Sequence, residues 1–356
     1  MRTLKGKIIN FDEVYEGEII FNEKINKINR LQSTQGNNYI IPGYIDLHCH
    51  GANGFDTMDG WESIKKMSLY HLNNGTTSIL PTTWTSTFNH IYKALQNFNN
   101  FNNTNTNILG VHLEGPFINP DKLGAQPPLT QYPSIEFINK IINVAPIKVI
   151  TLAPELEGMD DFIYELNKLN INIQFGHSLA DYSCCSKLMK NYSIGFTHLY
   201  NAMSGNDHRN PGVLSAALQL GKFAEIICDM NHVSETSIKI AKKCIPNLYA
   251  VTDSIGATGL KDGVYNFFEA EVEKRGNIAV LNKTNVLAGS IVNMHDTFSN
   301  LLKLKFSLQE AVKMTSYNAA QYLRMNDIGY LGEGKISNIL VLNKNLTLKE
   351  IYLNGI

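Results

Sequence analysis

Two histidines one residue apart close the stretch IIPGYIDLHCHG, residues 40–51. Side chains alternate between faces along an extended chain, so His48 and His50 point one way while Leu47 and Cys49 point the other. Two imidazoles at one point suit a metal ion, although His-x-His also occurs in chains that bind none. Other ionisable residues close apolar segments in the same way. His112 and Glu114 end NILGVHLE, His177 lies in INIQFGHS and His198 in SIGFTHLY; Asp229 and His232 follow AEIIC, and Asp253 ends LYAVTD. Glu114, His177 and His198 supply one carboxylate and two imidazoles, the three-ligand set of a catalytic metal site with an open position. His48 and His50 can hold a second ion, with Glu114 between the two. Such a set serves hydrolysis, because a divalent ion lowers the pKa of bound water towards about 7 and polarises the carbonyl under attack. Asp253 is suited to take the water's proton and pass it to a leaving amine.

Each residue also has an ordinary reading. His177 fits a core histidine, Asp253 a helix cap, and Glu114 a turn residue before Gly115-Pro116. For His71, His90 and His295, on helix-like or loop stretches, the ordinary reading stands. His112 shares the face of Glu114 and is placed to support it. The conjunction across several strand ends favours the metal site.

Positioning these residues requires a repeating scaffold. Eight short apolar segments recur: YIIPGYID, TTSILPTT, NILGVHLE, IKVITLAP, INIQFGHS, SIGFTHLY, AEIICDMN and LYAVTDSI. Amphipathic stretches such as DFIYELNKLN and SETSIKIAKKCI separate them. Strands alternating with helices imply α/β architecture with parallel pairing, and eight units close a (β/α)8 TIM-type barrel. The strand C-terminal ends then meet on one rim, where active sites are built. The second segment is the weakest, since ILPTT carries a proline. Residues 43–327 are assigned to the barrel. The strand-rich flanks, 1–42 and 328–356, are expected to form one small β-sandwich. SLQEAVKMTSYNAAQYLR predicts a helix opened by a capping box of Ser307 and Glu310, and the Asn-rich run 96–107 a tolerant surface loop.

The formal net charge of the 356 residues is -1, so no global field favours nucleic acid or an anionic membrane. No apolar run approaches the length of a membrane span, and the N-terminus lacks a signal-type segment. Five cysteines show no CxxC spacing, and Cys184 and Cys185 are adjacent; they read as reduced thiols of a cytoplasmic protein.

PGYIDLHCHG, GVHLEGPFINPDKLGAQ, FGHSLADY, THLYNAMS, CDMNHVS, VTDSIGATG and LAGS resemble, in order, the signature blocks of N-acetylglucosamine-6-phosphate deacetylases, within the amidohydrolase superfamily. HLEGPF together with THLYNAM is specific to that family; His-x-His is shared more widely. The resemblance implies metal ligation by Glu114, His177 and His198, joined by His48 and His50, and an acid/base role for Asp253. Substrate contacts would fall on Ala125, Gln126, Asn201, Ala202, Arg209, Asp229, Met230, Asn231, His232, Leu287, Ala288 and Gly289, with Arg209 and His232 clamping the phosphate. It implies one or two divalent ions, zinc first, with iron, manganese or cobalt as alternatives. The partners implied are an amino-sugar phosphate and a second copy of the chain, a homodimer in which the neighbour supplies a phosphate contact.

Three departures stand out. Gln126 occupies a position where the family has histidine, DMNH replaces an Asp-Gly before His232, and SNIL replaces Ala-Asp-Leu near the C-terminus. Met230 resists backbone angles that glycine permits. The galactosamine epimer is an alternative substrate. A sugar-phosphate sensor without catalysis is disfavoured because no ligand is missing. Cyclic-amide hydrolases that use a carboxylated lysine are disfavoured because ITLAPE offers none.

Overall fold

The computed structural model describes residues 1–34, 36, 38–98 and 107–356. Eight parallel strands carry the site: Tyr44–Cys49, Thr76–Thr83, Val111–Glu114, Ile147–Leu152, Asn172–Phe175, Ile194–Phe196, Phe223–Ile227 and Asn247–Val251. The first six form one sheet in chain order, and the last two pair with each other. Hydrogen bonds join the two groups at both seams. Leu199 N–H donates to Glu225 O (2.9 Å), linking the sixth strand's end to the seventh strand. Asp253 N–H donates to His48 O (2.8 Å), and His50 N–H to Ser254 O (2.8 Å), linking the eighth to the first.

Helices follow the strands and cover the sheet with apolar faces. In Ile135–Ile142 the buried residues Phe137, Ile138 and Ile141 recur at helical spacing, and Ser134 caps the first turn. Asp181 and Ser234 cap two further helices in the same way. Thr76–Thr83 is a strand buried throughout despite Pro81. Pro81 pairs with Cys49 next to a register shift, an irregularity of the kind that tolerates a residue without an N–H.

The first predicted segment divides at Gly43. Tyr39–Pro42 joins a different sheet, and Tyr44–Cys49 enters the parallel one. A Cβ at Gly43 would lie 2.1 Å from Thr77 Oγ1, so only glycine lets the chain pass so close. Tyr39–Pro42 lies between strands from both termini in one six-stranded mixed sheet, in the part of the chain expected to form the small β-sandwich. That sheet buries its own cluster around Ile8, Ile19, Phe21, Ile40 and Ile339. Asn10 ties the ends together, donating to Leu331 O and accepting from Leu331 N–H.

The capping box of Ser307 and Glu310 is present in both directions. Beyond Val312 the helix passes through a π-type turn, Lys313–Tyr317, before ending at Tyr322. A three-stranded antiparallel sheet, Gly263–Phe267, Ala270–Arg275 and Ile278–Leu281, follows the eighth strand and was not anticipated. Its Phe267 and Val272 pack with Ile255, Ala257 and Ala288. All five cysteines are free. Among the described residues no helix is long and apolar enough to cross a membrane. Within the Asn-rich run, positions 99–106 lie outside the described residues.

Candidate active site

Strand ends bring Glu114, His177 and His198 together. Glu114 Oε1 lies 3.2 Å from His177 Nε2 and 3.0 Å from His198 Nε2, and the two nitrogens are 3.0 Å apart. The other carboxylate oxygen, Oε2, faces a second group, 3.0 Å from His50 Nε2 and 3.5 Å from His48 Nε2. Asp253 Oδ1 completes that group at 3.4 Å from both nitrogens. One buried carboxylate thus spans two imidazole pairs.

Hydrogen bonds select the tautomers. His177 Nδ1 donates to Lys122 O (2.9 Å), which leaves Nε2 as the ring nitrogen turned towards Glu114 and His198, free to donate to the carboxylate or to take a cation in the proton's place. His48 Nδ1 lies 2.9 Å from Glu225 Oε2, a carboxylate that only accepts. The His50 ring stacks on Trp84 with centroids 3.9 Å apart. His112 bonds Leu47 O and Thr151 Oγ1, beneath the two pairs and outside them.

The charge balance calls for a cation. Glu114, Glu225 and Asp253 are buried, and their ion-pair partners among the described residues are histidines, with no lysine or arginine. Burial raises the Glu114 carboxyl, but the His48 charge and hydrogen bonds from His177, His198 and His48 hold it well below its ordinary range. Burial lowers His48 and His198, yet the facing carboxylates lift both above the usual imidazole value. His112 is instead driven down to about 4, first by burial and then by the His48 charge, which outweigh the opposing pull of Glu225 and Glu114. The groups facing Glu114 therefore gather positive charge, and a divalent ion among the same nitrogen and oxygen atoms meets the same need.

The two groups open on a cavity of about 280 Å³ lined by His50, Trp84, Glu114, Gly124, Ala125, Gln126, His177, His198, Asn201, Ala202, His232, Asp253, Val286, Leu287 and Gly289. Gln126 is fixed at both ends. Its Oε1 accepts from Thr85 N–H (2.7 Å), and its Nε2 donates to Glu114 Oε2. Several of these residues hold left-handed backbone, with φ of 49° at His177, 27° at His198, 48° at Ala202 and 49° at Asp253. Such angles in side-chain-bearing residues cluster where function over-determines the backbone.

Other expected contacts lie away from the cavity. Arg209 is exposed on a loop held by Asp207 and does not line its own chain's cavity. Asp229 lies behind His232, accepting from its Nδ1 (2.7 Å). Met230 is 38% exposed, and Asn231 turns its amide to Asp229 O and Asn277 O, so neither faces the cavity. Ala288 points into the apolar cluster under the three-stranded sheet, because its neighbours Leu287 and Gly289 take the cavity side. His48 lies behind His50 and Glu114, fully buried.

Sequence reasoning missed Trp84, Gly124, Val286 and above all Glu225. The last had a signal: a lone charge inside FAEIIC, a segment otherwise suited to a strand buried on both faces.

Parallel strands whose ends gather imidazoles around a shared carboxylate define a metal-dependent hydrolase. The chain belongs to the amidohydrolase family, whose profile matches residues 39–355. It is 37% identical over 321 residues to the N-acetylglucosamine-6-phosphate deacetylase of Bacillus subtilis, covering 86% of this chain and 81% of that protein. It is 31% identical over 327 residues to the N-acetylgalactosamine-6-phosphate deacetylase of Escherichia coli O157:H7, covering 89% and 86%. The crystal structure of N-acetylglucosamine-6-phosphate deacetylase from Thermotoga maritima matches with a TM-score of 0.91 at 30% identity, over 99% of this chain and 98% of that one.

Proposed function

We infer that this chain hydrolyses the N-acetyl group of N-acetylglucosamine 6-phosphate, giving glucosamine 6-phosphate and acetate. The observation that carries this reading is the Glu114 carboxylate shared between two buried imidazole pairs at the floor of a cavity. Glu114, His177 and His198 would hold a divalent ion, and His48 and His50 would border a second position. When bound, the metal supplies an acidified water and a Lewis acid for the amide carbonyl. Zinc suits this donor set, as do iron, manganese and cobalt.

The chain's own residues do the rest. Asp253 takes the proton of the attacking water and delivers it to the amide nitrogen as the C–N bond breaks. Gln126 holds Glu114 by a neutral amide. His232, fixed through Nδ1 by Asp229, keeps Nε2 for the phosphate. The chain acts as a homodimer, and exposed Arg209 is offered to the neighbouring subunit's substrate, which accounts for its position outside its own cavity. The strands close a (β/α)8 barrel over residues 43–327, with 1–42 and 328–356 as the second domain. Five free thiols fit a reducing cytoplasm.

A second reading takes the galactosamine epimer, because a relative of that name matches nearly the whole chain. Acetate release from both epimers by metal-loaded protein decides between them through kcat/KM. Binding of both sugars without acetate, under Zn2+, Fe2+, Mn2+ or Co2+, sinks the catalytic reading.

A further inference from the structure

Glu225 is fully buried in the seventh strand and does not line the cavity, so it cannot touch substrate. Its Oε2 faces His48 Nδ1 at 2.9 Å and accepts from the backbone N–H of His198 at 3.2 Å. Its Oε1 accepts from Gln174 Nε2 at 3.0 Å. One side chain therefore contacts a histidine of each imidazole pair, the ring in one and the main chain in the other.

We propose that Glu225 is the positioning residue of the His48–His50 half of the centre, holding His48 in the tautomer that turns a bare Nε2 towards a cation. A carboxylate offers no proton, so the 2.9 Å contact requires the proton on His48 Nδ1. Nε2 is then the ring nitrogen left for a cation, which would displace any proton from it, and it lies 3.3, 3.4 and 3.5 Å from His50 Nε2, Asp253 Oδ1 and Glu114 Oε2. The other half is oriented differently, since His177 leans on the uncharged Lys122 carbonyl. Loss of Glu225 should therefore weaken one ion far more than the other. This rests on the reading that cations occupy the two groups.

The test uses the full chain, stripped with chelator and titrated with Co2+ by calorimetry and visible absorption. In Glu225→Gln the second ion's dissociation constant should rise about 10–100-fold while the first moves less than about 3-fold. Glu225→Asp, a methylene short, should fall between. Tyr249→Phe, which removes a 3.5 Å donor to Glu225 Oε1 and a 2.7 Å acceptor of Gln174 Nε2 but leaves the Oε2 contact to His48 in place, should leave both ions unchanged. 15N spectra of labelled histidines, in metal-free and Zn2+-loaded chain alike, should show His48 protonated at Nδ1. A bare Nδ1 in the unaltered chain overturns the proposal even if no variant folds. Equal weakening of both ions, or of neither, overturns it too. Should the unaltered chain bind no ion, the metal reading fails, while the His48 spectrum still decides what Glu225 does.

Discussion

Replacing Gln126 by leucine isolates the link between the cavity wall and the shared carboxylate. Gln126 is 6% exposed and makes two bonds that leucine cannot, one from Thr85 N–H and one to Glu114 Oε2. An unpaired buried N–H costs about 1–3 kcal/mol, and a lost bond to a charged acceptor about 1.5–3 kcal/mol. Better apolar burial of leucine offsets roughly 1 kcal/mol, which leaves a net loss of about 3 kcal/mol. Unfolding entropy near 2.1 cal/mol/K per residue gives about 0.7 kcal/mol/K for this chain, so Tm should fall by about 4 °C. Gln126→His should lose only about 1 °C, because an imidazole can accept at one nitrogen and donate from the other. Scanning calorimetry on chelator-stripped protein keeps metal binding out of the comparison. The reasoning is refuted if leucine shifts Tm by less than histidine does, or if neither moves it.

Three further outcomes follow from particular residues. Met230 holds φ at 67°, so Met230→Gly should raise Tm by about 1 °C through relief of a left-handed strain near 1 kcal/mol; a fall would show that no strain is stored there. Burial raises the Asp229 carboxyl, but the hydrogen bond and charge of His232 and nearby backbone N–H groups bring it below its ordinary 3.8. A depressed carboxyl contributes stability above about pH 4 that is lost as pH falls through the folded value. Thermal scans from pH 6 to about pH 2 should thus decline less steeply for Asp229→Asn than for the native chain. Asp253→Asn should keep the fold, because the backbone of Asp253 makes the bonds to His48 and Ser290. Its acetate release should drop by about 10²–10⁴-fold, and an undiminished kcat would remove Asp253 from the proton transfer.

Local patterns carried much of this protein. The i, i+2 spacing put His48 and His50 on one face, and their Nε2 atoms lie 3.3 Å apart. The Ser307–Glu310 spacing marked a helix start, and apolar runs marked the strands, because each signal lies within a few residues of chain. Closure and long-range contact were decided elsewhere. Asp253 joins the His48–His50 group because the eighth strand's end bonds to the first across some two hundred residues. Lys122 orients His177 through a main-chain carbonyl, which every residue type possesses and no sequence pattern marks. Glu225 meets His48 only when the seventh strand lies across from the first. Arg209, basic and near a recognisable motif, falls outside the cavity because its loop is anchored by Asp207. Residue type and spacing determine which groups can bind a cation; the closing of the sheet determines which of them meet.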